Sequence, residues 1–143
     1  MSVKSDIEAC GLAAGADLFH YERPNLENIA IDEVSSGDVL CYMEEVNSVN
    51  LTINSNGVSD SFSCRVSFIQ QVDMQNTADD NAAVMSALLQ CFRSFLIEIV
   101  KTGNYQKELS FPAIKYEENA NDANFIGWQM DLTLKPRDGY SEC

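Results

Sequence analysis

The stretch of sequence that decides the fold is residues 79–103, DDNAAVMSALLQCFRSFLIEIVKTG. Its large apolar side chains recur at the i, i+3, i+4, i+7 spacing that places them on one face of an α-helix. Thr77 or Asp79 can cap the start of this helix, and Gly103 can supply the left-handed residue that ends it. Such a helix must bury its apolar face. The rest of the chain has the character of β-strand, so we expect that face to pack on a sheet.

Five segments have the alternation or β-rich composition of strands: 38–46, 49–54, 58–72, 111–118 and 125–135. The pair Asn56-Gly57 is a strong hairpin signal, because both residues tolerate positive φ. The strand after it would be about 45 Å long, more than a small core needs, so part of the hairpin should project. The predicted fold class is α+β: a mainly antiparallel sheet of about five strands packed on one long amphipathic helix, with a projecting β-hairpin.

The predicted core joins the inward faces of the helix and of two strands. An isolated glycine, Gly127, interrupts the last strand and predicts a bulge or a close approach of backbone. The core residues we expect are Leu88, Phe92, Phe95, Ile99, Val66, Phe68, Trp128, Met130 and Leu132.

The length of 143 residues predicts a single domain, 1–143, large enough to bury its own core. Within it we expect an N-terminal segment (1–36), an α+β core (38–136) and a flexible tail (137–143). No internal repeat or linker divides the chain.

The N-terminal segment predicts a short helix, with Ser5 and Glu8 as a capping box and Gly11 or Gly15 near its end. Residues 29–34 predict a short extended piece. The first residues lack the basic start and continuous apolar run of a secretory signal, so we expect none.

The chain is strongly acidic, with 22 acidic and 9 basic residues and a net charge of −13. This argues against a surface that binds nucleic acid or an anionic membrane, because such surfaces are rich in Lys and Arg. It is compatible with a passage along which DNA slides, with mimicry of DNA, or with solubility alone. The five cysteines are scattered singly and odd in number, which predicts buried, reduced thiols and synthesis inside a cell.

The sequence offers little for catalysis. It contains one histidine, His20, and no nucleotide-binding or hydrolase motif. Acidic pairs from two strands could converge into a carboxylate site for magnesium or hydrolysis, but solvated charges at strand ends and at a helix start explain them without such a site. We therefore predict no catalytic residue, no cofactor, no metal site and no enzymatic activity. The acidic pairs are Asp32-Glu33, Glu44-Glu45, Asp79-Asp80 and Glu117-Glu118.

One face of the long strand is polar but nearly uncharged. A face meant only for solvent usually carries more Lys and Glu, which protect strands from pairing. The face is therefore either solvated or a contact with a neighbouring subunit, to which a projecting hairpin is suited. The interface residues in the second interpretation are Asn56, Gly57, Ser59, Ser61, Ser63, Arg65 and Ser67.

The order of elements resembles that of the tail-terminator and neck proteins of tailed bacteriophages, which form rings where head and tail join. DVLCYMEEVNSVNLTINSNGVSDSFSCRVSFIQQ looks like their exposed pairing strand and long return strand. NAAVMSALLQCFRSFLIEIVKTG is similar to their packing helix, and NFIGWQMDLTLKP to their last strand. The resemblance is one of pattern and covers roughly residues 38–136. Family members begin with a longer helix than residues 1–36 offer.

The resemblance implies a structural virion protein: a tail terminator, a head-completion protein or a neck adaptor, made in the cytoplasm of the bacterial host. Its partners would be other copies in a ring of about six or twelve, together with adjacent portal, adaptor or tail-tube proteins. DNA would pass through the ring without sequence-specific binding, and no membrane would be involved.

Two other functions are compatible with the sequence. An acidic inhibitor could mimic DNA and capture a host DNA-binding or defence protein, which requires carboxylates spaced like phosphates along one face. A small-ligand binder or enzyme requires a pocket with converging polar groups.

Overall fold

The structure is a computed structural model that describes residues 3–22, 37–55, 57–72, 77–105, 113–120 and 123–136. The predictions for Asn56, residues 29–34, the start of the 111–118 strand and the tail 137–143 lie outside these residues. The helices are α1 (Val3–Ala13) and α2 (Ala78–Lys101). The strands are β1 (Leu18–Glu22), β2 (Val39–Glu44), β3 (Ser48–Asn54), β4 (Gly57–Val72), β5 (Ala113–Ala120) and β6 (Ala123–Leu134).

The six described strands form one sheet in the order β1-β2-β4-β6-β5, and β3 pairs with the first half of β4. Only β1 and β2 run parallel; the other pairs are antiparallel. This confirms the α+β fold with a mostly antiparallel sheet on one long helix. The sheet has one strand more than predicted, because β1, the short segment LFHYE, was not recognised as a strand.

The long helix begins and ends where its sequence indicates. The hydroxyl of Thr77 accepts a hydrogen bond from the backbone N–H of Asp80, and the Asp80 carboxylate accepts one from the N–H of Thr77. This reciprocal cap satisfies two of the free N–H groups of the first turn. At the other end Gly103 takes the left-handed conformation, with φ of 71°.

The core lies between α2, α1 and one face of the sheet. At its centre the Phe68 ring meets the rings of Phe92 and Phe95 edge-on, with centroids 4.7 and 5.6 Å apart. Trp128 is half-buried and donates its indole N–H to the backbone oxygen of Met85 at 2.9 Å. All nine predicted core residues belong to this cluster or pack against it.

The N-terminal helix differs from its prediction at its start. It begins at Val3, so Ser5 and Glu8 lie within the helix and do not form the predicted capping box; Glu8 instead pairs with Lys4 at 3.0 Å. Gly11 lies inside the helix and allows close packing on β2, since a Cβ there would lie 2.8 Å from the Cys41 sulfur.

The hairpin of β5 and β6, which closes the chain's order of elements, has a shorter connection than predicted. The two strands continue to Ala120 and from Ala123, where a loop over residues 119–124 was expected. Gly127 marks the predicted close approach, because a Cβ at this position would lie 2.8 Å from Cα of Ile69 and closer still to the carbonyl oxygen of Phe68.

Candidate functional site: the projecting arm

The first half of β4 extends beyond the layer that forms the core. Its residues 57–63 pair with β3, whereas pairing with β6 begins only at Phe62, opposite Leu134. The strand has 16 residues and spans about 53 Å, and the 24-residue α2 spans about 36 Å. The helix therefore cannot cover the whole strand. We call residues 48–54 and 57–61 the arm; Gly57 at its tip has φ of 122°.

The predicted interface residues do not form one free surface. Ser59 is exposed on the arm, and its hydroxyl lies 3.5 Å from the backbone oxygen of Thr52. Ser61 and Ser67 are only 7% and 4% exposed. Ser67 lies between Tyr42 and Gln129 on the neighbouring strands.

The other two side chains of this set have partners within the sheet. The Ser63 hydroxyl lies 3.1 Å from that of Thr133 on β6. Arg65 bridges two strands, with its Nε 2.9 Å from Asp131 and 3.7 Å from Glu44. The polar face is therefore largely engaged by cross-strand contacts, which stabilise the sheet itself.

The opposite side of the arm is apolar and exposed. Val49, Leu51, Ile53 and Val58 are 48%, 65%, 82% and 65% exposed, and we call these four residues the arm stripe. Val49 pairs with Phe62, which is only 3% exposed, so the arm stripe continues the core face of the sheet beyond the helices. Alternation in the sequence separates the two sides correctly, but it does not reveal which part of the apolar side lies beyond the end of α2.

The arm carries a single charged residue, Asp60. Residues 48–59 contain no Asp, Glu, Lys, Arg or His, in a chain with 22 acidic residues. The edge strand β5 has Lys115, Glu117 and Glu118 in its sequence, as expected of an edge that must resist pairing. The outer strand of the arm, β3, lacks this protection.

The described part of the arm borders one shallow depression. This open depression, of about 180 Å³, lies on the polar side of the arm. It is lined by Asn50, Thr52, Ser59, Asp60 and Ser61, and by Lys135 and Pro136 just after β6. Among the residues that the structure describes, no group of three or more His, Cys, Asp or Glu side chains is placed to hold a metal ion.

The thiols that the structure describes are poorly suited to nucleophilic chemistry. Cys10, Cys41 and Cys64 are buried and Cys91 is half-buried, and none forms a disulfide. Burial, and then the nearby Asp6 and Glu98 carboxylates, raise the pKa of Cys10 to about 11. Burial also raises the pKa values of Cys41 and Cys91. Thiols with raised pKa values hold little of the reactive thiolate at neutral pH.

By length and composition alone, α2 could cross a membrane. One helix of this kind is weak evidence for a membrane span, because the core helix of a soluble protein meets the same criterion. Here Leu88, Phe92, Phe95 and Ile99 of α2 pack into the core.

Comparison with known proteins assigns no family to this architecture. No protein-family model matches the chain, and a search of curated proteins finds no significant match.

Proposed function

We propose that this protein is a structural subunit that assembles with other copies of itself into a ring, of the kind that tail-terminator and neck proteins form where the head of a tailed bacteriophage joins its tail. In this role it performs no catalysis. The observation that carries the proposal is the arm: a partly apolar hairpin with one charged residue, Asp60, that projects from a strongly acidic body.

An arm of this kind favours association of copies over the monomeric state. Bodies of net charge −13 repel one another, so contact between copies must use surfaces that carry little acidic charge. The arm provides such a surface at the end of the sheet. A contact between two different patches on successive copies generates a ring when the rotation closes.

The order of elements supports the virion assignment. A short helix, an arm hairpin, one packing helix and a closing hairpin with Trp128 in its last strand follow one another as they do in the proteins that the sequence resembles. In a ring, the acidic excess would repel the phosphate backbone and let DNA pass without being held.

Light scattering over a concentration series at two salt concentrations, followed by electron microscopy of negatively stained particles, tests the proposal. We expect a discrete species of about six or twelve copies with an axial opening. Salt should promote its formation, because it screens repulsion between exposed charges. A monomer under every condition, or a closed dimer, would contradict the ring.

A DNA-retention assay separates this function from the acidic-inhibitor alternative. The ring subunit should neither bind DNA nor displace DNA-binding proteins from it. A monomer that competes with DNA for a basic host protein would support the inhibitor and contradict the ring.

A further inference from the structure

A second neutral surface lies on the outward side of α2. Between Ala82 and Val100, every exposed side chain of this helix is small, apolar or an uncharged polar group except Arg93. Ile97 and Val100 are 54% and 42% exposed and lie one turn apart on the same side. We call this side, centred on Arg93, Ile97 and Val100, the α2 outer face.

The arm stripe and the α2 outer face suit each other as packing partners. Within one copy, the apolar side of β4 packs on the inner face of α2 through Phe68, Phe92 and Phe95. The arm stripe is the uncovered continuation of that same side of the sheet. Packed on the α2 outer face of a second copy, it would repeat the strand-on-helix contact that already forms the core.

The charges at the two surfaces are complementary. On the stripe side of the arm the one charged residue is Asp60, opposite Leu51. Between Ala82 and Val100 the one exposed charged residue is basic, Arg93, and its guanidinium donates a hydrogen bond to the neutral Gln90. Glu98 is half-buried, and its carboxylate is paired with Lys101 at 3.4 Å. Elsewhere the acidic excess makes contact between two copies repulsive, so these two surfaces are where attraction is available.

The area involved indicates how strong the contact should be. The arm stripe exposes roughly 400 Å² of apolar side chain, within the size range at which a patch on a monomer is often functional. Stable pairs bury about 800 Å² on each partner. One arm contact buries about half of that on each partner, so a single contact is weak. Copies that each give an arm and receive one are therefore held more firmly than two copies joined by one contact.

We infer that the arm stripe of one copy docks on the α2 outer face of the next copy, head to tail. This inference rests on the proposed self-assembly and names the two surfaces that meet. The polar side of the arm, including Ser59, stays outside the contact.

Three double variants that add the same charge test this assignment. Leu51→Lys/Ile53→Lys disables the arm stripe, and Ile97→Lys/Val100→Lys disables the α2 outer face. Asn50→Lys/Thr52→Lys is the matched control, because these exposed residues lie on the same strand as the arm stripe but on its other side. All six side chains are exposed, so the fold should be retained; far-UV circular dichroism and thermal unfolding check this, and serine replaces lysine where a variant fails to fold.

Sedimentation velocity is then recorded at concentrations at which the unmodified protein associates. The control should associate like the unmodified protein, and each disabled variant should remain monomeric. An equimolar mixture of the two disabled variants is studied at the highest protein concentration the control tolerates, since its copies are joined by one contact only. It should form a one-to-one dimer that grows no further, because each variant supplies the surface that the other lacks.

The other outcomes separate this inference from the ring itself. If all three variants still form rings, docking through these surfaces is wrong and the ring proposal stands. If the disabled variants fail to pair when mixed, the contact is not head to tail. If association is sensitive to both surfaces but yields open chains, docking holds and the ring is wrong. A protein that stays monomeric throughout contradicts both.

Discussion

The hydroxyl of Tyr105 lies 2.6 Å from the carboxylate of Asp6, and both residues are only 3% exposed. This contact joins α1 to the segment that follows α2, across 99 positions of sequence. Asn104 adds a second donor to the same carboxylate oxygen at 3.3 Å. A buried carboxylate is stable only when such partners are present, so the pair fixes the N-terminal helix on the body.

Replacing Tyr105 with Phe removes this hydrogen bond and keeps the ring. We expect the free energy of unfolding to fall by about 1–3 kcal/mol, because the buried carboxyl group of Asp6 loses one of its hydrogen-bond donors. Urea unfolding monitored by Trp128 fluorescence measures the change. A double-mutant cycle with Asp6→Ala should show coupling between the two residues, and additive effects would contradict the contact.

The cap of α2 should contribute measurably to stability. Thr77→Ala removes the oxygen that accepts the N–H of Asp80, and we expect a loss of about 1 kcal/mol. Thr77→Ser keeps the hydroxyl and is the matched control, with a loss of a few tenths at most. Equal losses in the two variants would show that the hydroxyl is not the stabilising group.

Gly127 should tolerate no side chain. A Cβ would collide with the backbone of β4 at Phe68 and Ile69, which cannot move without breaking the central strand pair. Gly127→Ala should therefore lower the free energy of unfolding by about 1–3 kcal/mol or more. Gln129→Ala, two residues along the same strand, is the control and should cost much less. Similar melting temperatures for the two variants would contradict the close approach.

Truncation of a large apolar residue should lower the stability of the monomer strongly in the core and hardly at all in the arm stripe. Phe68→Ala should cost about 3–5 kcal/mol, because the side chain is fully buried among aromatic rings. Ile53→Ala should change the stability of the monomer by less than about 0.5 kcal/mol, because Ile53 is 82% exposed. Chemical denaturation at low protein concentration measures both. A large loss for Ile53→Ala would show that the arm folds back on its own body.

Alkaline pH should weaken the fold through Cys10. Its pKa rises from an ordinary value near 9 to about 11 in the folded protein, chiefly because it is buried. The unfolded chain therefore releases this proton first. The thiol's contribution to stability is complete below pH of about 9 and is lost as pH rises towards about 11. Cys10→Ala should show a shallower decline of unfolding free energy over that range; an unchanged slope would contradict the assignment.

The α-helical part of this fold is readable from sequence because its signals are local. The spacing of Leu88, Phe92 and Phe95 defines one face, and Thr77 with Asp80 defines the start. The strand β1 carries no comparable signal. Its five residues become a strand only through parallel pairing with β2, about twenty positions later, which no local pattern records.

The candidate site, too, is only partly predictable from local sequence signals. Alternation assigns Leu51 and Ile53 to one side of a strand and Ser59 and Ser61 to the other, and the structure agrees. Whether a side is covered depends on where α2 ends above the sheet. The side of the strand alone does not determine burial: Ile53 on the apolar side is 82% exposed, and Ser61 on the polar side is 7% exposed. The unusual length of β4 was the sequence signal that part of this strand lies beyond the end of α2.

The arm and the centre of the sheet are parts of one unbroken strand, β4. No hinge separates them, so the arm behaves as a stiff lever whose direction is fixed by the right-handed twist of that strand. If neighbours dock on it, the angle between successive copies is a geometric property of β4, and a change in strand twist would alter the curvature of the assembly. A mechanical load applied at Gly57 would likewise travel along the backbone to Phe68, at the centre of the protein.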